Sequence, residues 1–520
     1  MRKLSLVAML LAGSAVSMPA LADDHHKIVD QPLELTIQMN HARYPVYDET
    51  WPVELAAREL TNIHLKNDTV GANMRTSENT GRTEALNLML AAGHIPDIVG
   101  SSRIKDFVNQ YGPEGAFLPL NDLIEEHAPH MKAFFDSKPH IQSAISAADG
   151  NMYYIPYLPD GKYGRAYFIR YDWLDNLGLE VPQTVEEFES ALRAFKNDDP
   201  NGNGLQDEIP YFARQWPELI RLVTLWDGRS SGSDTYHDFY VNDGQLAHPY
   251  AGEGYREGIK NLARWYAEGL IDAEVFTRGS SARDYLLSEN LGGATHDWFA
   301  STSGYNRLSS DIDGFAIKAM APPASISGKR IEEHRRIPIK PDGWAIGGRN
   351  EHPVETIKYF DFWFSPEGRR LANFGVEGQQ YTMVDGEPKF TEEFLTNGQP
   401  VNNQLYAVGS QLQARGYFQD YNYEKQWSNE FALEGIKLYD EGDYLIDQFL
   451  GVAFNADEQK VYDRHWGAIR DYMLERQQSW ILGNGDVEAD WDAYSAQLEN
   501  MGLSKVLEVM QSAYERQYNS

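Results

Sequence analysis

The 520-residue sequence contains no cysteine. That excludes disulfides, thiol nucleophiles and cysteine-ligated metal sites, so stability must come from core burial and from any bound ion. Positive charge is scarce: 46 Lys and Arg stand against 77 Asp and Glu, a net charge of −31. Such a balance opposes nucleic acid and anionic membranes as partners. An anionic ligand would require basic residues gathered locally. Long apolar runs are lacking too, except at the start. Arg2 and Lys3 precede the apolar stretch Leu4 to Val16, and Ala20-Leu21-Ala22 offers a small-residue cleavage site. This pattern predicts a secretory signal peptide over residues 1–22 rather than a membrane span. No cysteine follows the cleavage site, so no lipid anchor is expected. The mature chain is expected to be periplasmic, or else secreted. The 14 histidines form no His-Glu-x-x-His spacing, and no phosphate-binding glycine loop is present.

What is present argues for more than one lobe, because 520 residues exceed a single ordinary core. Leu33, Leu35, Ile37 and Met39 alternate with polar residues and predict a half-buried strand. Val53, Ala56, Leu60 and Ile63 follow helical spacing, Glu84 to Gly93 reads as a second helix, and Ile95 to Val99 as a short buried strand. The order predicts an α/β lobe with a parallel sheet. Met152 to Pro159 is extended and proline-stiffened, and Arg165 to Arg170 reads as a new strand, which places a first crossover near residue 157. Thr184 and Glu187 form a capping box ahead of a helix that buries Phe188, Leu192 and Phe195. Residues 213–290 and 428–518 read as mostly helical. Pro341-Asp342-Gly343 suggests a return crossover.

The strongest local pattern is Asp199-Pro200-Asn201-Gly202-Asn203-Gly204-Leu205-Gln206-Asp207-Glu208. Asp199, Asn201, Asn203, Asp207 and Glu208 bear side-chain oxygens, Leu205 offers its carbonyl, and Gly204 stands where a Ca²⁺ loop turns sharply. Pro210 occupies the place of the usual bidentate Glu, and Glu208 is the expected replacement. With no partner loop in view, the expected role is a structural clip.

Other patterns point nowhere. Gly228-Arg229-Ser230-Ser231-Gly232 matches a nucleophile elbow, but a helix-like run precedes it where a strand is required. Among 77 acidic residues some pair always resembles a glycosidase dyad. His296, beside Asp297 and Trp298, reads as a buried, hydrogen-bonded histidine. The 12 Trp and 30 Tyr are mostly core, yet Trp298 with Ser301, Tyr421 with Tyr423 and Trp427, and Trp344 beside Lys340 mix flat apolar faces with polar groups as a sugar site does.

Several segments together resemble a known family. Asn87 to Val99, Ile155-Pro156-Tyr157, Ile169 to Leu179 and the Phe195-Lys196 approach to the loop are similar to the family 1 extracellular solute-binding proteins of ABC sugar importers. More narrowly, Arg229 to Asp234, Asn290 to Gly293, Thr295 to Ser301, Pro341 to Ile346, Pro400 to Tyr406 and Gln419 to Trp427 resemble the periplasmic alginate-oligosaccharide-binding proteins. The resemblance implies a two-lobed periplasmic-binding-protein fold of α/β class, with a hinge, an interlobe cleft and a helix-rich C-terminal lobe. It divides the chain into 23–157 plus 340–376 for the N-terminal lobe and 158–339 plus 377–520 for the C-terminal lobe. It implies Ca²⁺ at Asp199 to Glu208, sugar contacts from Tyr157, Trp298, Ser301, Tyr423 and Trp427, and uronate pairing by Arg336 and Lys340. The expected partners are an acidic oligosaccharide and a membrane permease; the chain is expected to be monomeric and not an enzyme. The loop His41 to Tyr47 holds one Arg where the resemblance implies several basic residues, which leaves another uronate-containing or a neutral oligosaccharide open. An exported lyase or glycoside hydrolase is the rival class.

Overall fold

The computed structural model describes residues 27–40, 47–68, 78–230 and 239–518. The predicted signal peptide and residues 41–46 lie outside them. Along the chain the strands are β1 (Leu33–Asn40), β2 (Ile63–Asn67), β3 (Ile98–Ser101), β4 (Ile155–Leu158), β5 (Arg165–Arg170), β6 (Ile209–Tyr211) and β7 (Tyr240–Asn242). They continue with β8 (Gln245–Ala247), β9 (Gly292–Trp298), β10 (Ile317–Met320), β11 (Gly343–Ile346), β12 (Tyr381–Val384), β13 (Glu387–Phe390) and β14 (Tyr417–Phe418).

Two sheets organise the molecule. The first has the order β14-β4-β11-β3-β1-β2 and the second β10-β5-β9-β6; β7-β8 and β12-β13 are separate hairpins. The first sheet carries one apolar core, with Leu35, Ile37, Ile98, Val99, Ile155, Trp344 and Ile346 at its centre. Around the second sheet, Tyr167, Ile169 and Ala294 join a helical core rich in Trp and Tyr, while Phe168 and Ile317 belong to a smaller one. Two cores on two sheets make two lobes.

Two expectations need correction. The first sheet is mixed: β1 pairs in parallel with β2 and β3, but β11 runs antiparallel to both β3 and β4. The cause is the return crossing, which brings β11 back into the lobe from the opposite direction. The second concerns residues 377–520, which do not all join the C-terminal lobe. β14 pairs with β4, and Leu412, Ala414 and Tyr417 are buried in the N-terminal core.

The chain crosses between lobes three times, at residues 159–164, 332–342 and 419–430. These segments are bonded to one another. Arg336 N donates to Lys162 O at 2.9 Å and Arg165 N to His334 O at 3.1 Å. Tyr421 N donates to Asp160 Oδ2 at 3.1 Å. Gly164 permits the close approach, since a Cβ there would lie 2.9 Å from His334 O. After the third crossing, helix Glu430–Gly442 packs its Gly435 against Ala319 and Phe299 of the C-terminal lobe. The final helix, Leu503–Tyr518, reaches back, and Gln517 Nε2 donates to Ser143 O at 2.7 Å.

Candidate functional site

β4, β3 and β1 end on one side of the first sheet, and the crossings leave from there. Ligands in open α/β sheets are taken at such carboxyl ends. Tyr157 on β4 is buried against Tyr417, with ring centroids 5.1 Å apart, and burial pushes its phenol well up from the ordinary range. Lys340 N donates to Tyr157 O at 3.0 Å. Tyr423 is buried as well; its hydroxyl accepts from Gln419 Nε2 at 3.2 Å, and its ring lies 6.3 Å from that of Trp427. Trp427 is half-buried, and its indole Nε1 has no hydrogen-bond partner. The structure thus gathers Tyr157, Lys340, Tyr423 and Trp427 beside the crossings, with the two tyrosines as a packed layer and Trp427 as the more accessible ring.

Arg336 lies there too, but not with its charge available. Its Nη2 bonds both oxygens of Glu424, at 2.6 and 2.7 Å, its Nη1 donates to Gln419 Oε1, and its guanidinium lies 4.5 Å from the centre of the Tyr421 ring. The expected uronate pairing by Arg336 is therefore corrected. A planar fork already satisfied by a buried carboxylate is neutralised locally, and Arg336 ties the second crossing to the third.

Trp298 and Ser301 lie on the other lobe. Trp298 ends β9 opposite Arg165, whose guanidinium lies 4.4 Å from the indole centroid. The residue is half-buried. Ser301 Oγ accepts from Arg283 Nη1 at 3.3 Å, and the same nitrogen reaches Asp297 Oδ2 at 2.9 Å. Behind them, Glu218 Oε1 takes Arg165 Nη2 at 3.3 Å, Arg214 Nη2 at 2.6 Å and Arg221 Nη1 at 3.3 Å. Arg165 Nη1 also stands 3.7 Å from Asp297 Oδ1. Four guanidiniums thus share two buried carboxylates. Burial pushes both acids up, but the arginines outweigh it: Arg221, Arg165 and Arg214 hold Glu218 below the usual carboxylate range, and Arg283 and Arg165 do so for Asp297. This concentration of positive charge in a strongly acidic chain was not read from the sequence. The one local signal is Arg214-x₃-Glu218-x₂-Arg221, which leads into and along the helical run Trp216–Trp226; Arg165 and Arg283 join it only through the fold.

Ser230 is no nucleophile: its hydroxyl donates to Glu333 Oε2 at 2.5 Å, and Arg229 binds the same carboxylate.

The Asp199–Glu208 loop follows helix Val185–Asn197. The Thr184 hydroxyl caps that helix by accepting Glu187 N, while Glu187 Oε2 returns to Gln183 N rather than to Thr184. Gly204 has φ of 81°, a left-handed value suited to glycine, at the sharp turn. Asp199 Oδ1 and Oδ2 accept Asn203 N and Gly204 N, and Asn201 Oδ1 also accepts Asn203 N. Asp207 is turned to Asn203 Nδ2. Glu208 is buried, and neither of its oxygens has a well-formed hydrogen bond; burial and then Asp207 and Asp199 raise its carboxyl. A buried carboxylate without a donor, next to two further acids, is the chemistry of a cation site. The residues fit Ca²⁺.

Two lobes and three bonded crossings are the architecture of a two-lobed solute-binding protein. No protein-family profile matches the chain. Among solved structures it is similar to the alginate-binding protein AlgQ2, crystallised without calcium ion: 46% identity over 94% of this chain and 99% of that one, TM-score 0.82. The fructooligosaccharide ABC-transporter substrate-binding protein FusA of Streptococcus pneumoniae is 26% identical over 450 residues, 83% of this chain and 82% of FusA. A FusA EF-hand mutant in complex with fructo-nystose shares the fold, with a TM-score of 0.70 at 21% identity, covering 94% of this chain and all of that one. The chain belongs to the family of oligosaccharide-binding proteins that serve ABC transporters. Its relatives are binding proteins, not enzymes.

Proposed function

We propose that this protein captures acidic oligosaccharides, alginate oligomers foremost, in the periplasm and presents them to a membrane permease. The observation that carries the acidic preference is the cluster of Arg165, Arg214, Arg221 and Arg283 beside Trp298 and Ser301. Four guanidiniums against two carboxylates leave positive charge in excess there, and a partly exposed indole offers the flat face that pyranose C–H surfaces need. The similarity to an alginate-binding protein supports the same ligand class. Trp298 and Ser301 hold the sugar from one lobe, Trp427 and Lys340 from the other, with Tyr157 and Tyr423 behind. Contacts from both sides favour the closed form, so affinity and closure are one equilibrium. We assign residues 27–157 and 340–418 to the N-terminal lobe and 158–339 and 430–518 to the C-terminal lobe. Asp199, Asn201, Asn203, Leu205, Asp207 and Glu208 hold a structural Ca²⁺, which supplies the counter-charge that Glu208 lacks.

A thermal-shift screen of uronate and neutral oligosaccharides tests this reading. Stabilisation by alginate oligomers is expected. Stabilisation by neutral oligomers alone would overturn the acidic preference.

A further inference from the structure

Outside the sugar site and the Asp199 loop, one cluster has a composition with no part in either. His296, Glu332 and His334 are each at least 95% buried, and one ligand atom from each lies within 4.8 Å of the other two. His296 Nε2 is 2.9 Å from Glu332 Oε2, and His334 Nδ1 is 3.5 Å from Glu332 Oε1. A tetrahedral Zn²⁺ with bonds of about 2.0–2.1 Å sets its donors about 3.3 Å apart. The two measured distances lie on either side of that spacing and run to different oxygens of Glu332, so the carboxylate would turn to present one oxygen to the ion.

The scaffold is firm. His296 sits within β9, between β5 and β6, with its ring 5.0 Å from Tyr167 and 5.5 Å from His334. Glu332 and His334 alternate along the second crossing. Glu332 N donates to Tyr444 O at 2.8 Å, His334 N to Glu332 Oε1 at 2.7 Å, and His334 O accepts Arg165 N. Donors held by backbone on two sides need little reordering to take an ion.

Neutral imidazoles facing a carboxylate are the ligating forms. Two nitrogens and one oxygen suit Zn²⁺, Co²⁺ or Ni²⁺, and they discriminate against Ca²⁺, which takes six to eight oxygens.

We propose that His296, Glu332 and His334 form a binding site for a divalent transition-metal ion, most simply Zn²⁺. The ion would bridge the C-terminal sheet and the second crossing, two residues before Trp298.

Co²⁺ titration of the mature chain in excess Ca²⁺ tests the site, with Ca²⁺ occupying the Asp199 loop. His25→Ala/His26→Ala is the background, which removes a second histidine pair near the N-terminus. One equivalent of Co²⁺ should develop the intense visible d–d absorption of a four-coordinate site and lose it on addition of Zn²⁺. Glu332→Gln and His334→Gln, each checked for folding by circular dichroism, should weaken Co²⁺ binding at least tenfold. No visible band in the background protein would overturn the proposal, as would equal binding by both folded variants.

Discussion

The most informative side chains carry flat faces or forked charges. Trp298 has a guanidinium over its ring and is only half-buried, and Trp427 holds the equivalent place by the third crossing. Trp298→Ala and Trp427→Ala should each weaken oligosaccharide binding at least tenfold, about 1.4 kcal/mol, without unfolding; calorimetry reads this directly, and unchanged affinity in both would remove them from the site. Glu424→Ala should act differently. It leaves the Arg336 guanidinium buried without its carboxylate, so a loss of about 3–5 kcal/mol in stability is expected by denaturant unfolding. Trp298, Ser301, Tyr423 and Trp427 were singled out by the family-like segments that surround them. The arginine cluster was not. The pairing of β5 with β9 brings Arg165 to Asp297, and helices Trp216–Trp226 and Ala282–Ser288 add Glu218 and Arg283, so the group forms only in the fold.

At the scale of elements, the Asp199–Glu208 loop was the most readable, since its ligand spacing is local and Gly204 marks its turn. Ca²⁺ should raise the melting temperature, by about 2.7 kcal/mol of stabilisation at a hundredfold excess over Kd, and Glu208→Gln should abolish most of that gain. The pH dependence follows from linkage. In the ion-free fold the Glu208 carboxyl is raised, so the folded state holds its proton more tightly than the unfolded chain. Ion-free stability from this group is greatest below the ordinary glutamate range and falls as pH rises through the raised value. Ca²⁺ removes that penalty. The difference in melting temperature between Ca²⁺-saturated and Ca²⁺-free protein should therefore be largest near neutrality and shrink on acidification; a constant difference would contradict the assignment of Glu208. Helix positions were also readable from periodicity: Pro52–Thr61 and Val185–Asn197 appear where apolar spacing places them, although Ile63, read with the first of these, opens β2 instead.

For the whole molecule, two lobes and repeated crossings were legible from length and from the break after Tyr157. The ownership of residues 405–418 was not. β14 is two residues long and carries no alternating pattern, and its attachment to β4 is a tertiary fact. The final helix adds a further link, through Gln517 and Ser143, between the helical end of the chain and the N-terminal lobe. Closure must accommodate that contact or break it. X-ray scattering should show the radius of gyration falling when an alginate oligomer is added; an unchanged value at saturation would place the ligand outside the interlobe region. The central claim is that an acidic oligosaccharide binds between the lobes beside the arginine cluster. Isothermal titration calorimetry of the mature protein with an alginate tetramer, its carboxyl-reduced neutral counterpart and an Arg283→Ala variant tests it most directly. The account predicts one tetramer per chain, with at least tenfold weaker binding of the neutral sugar and of the tetramer by the variant. Equal affinity for the charged and neutral sugars would contradict it.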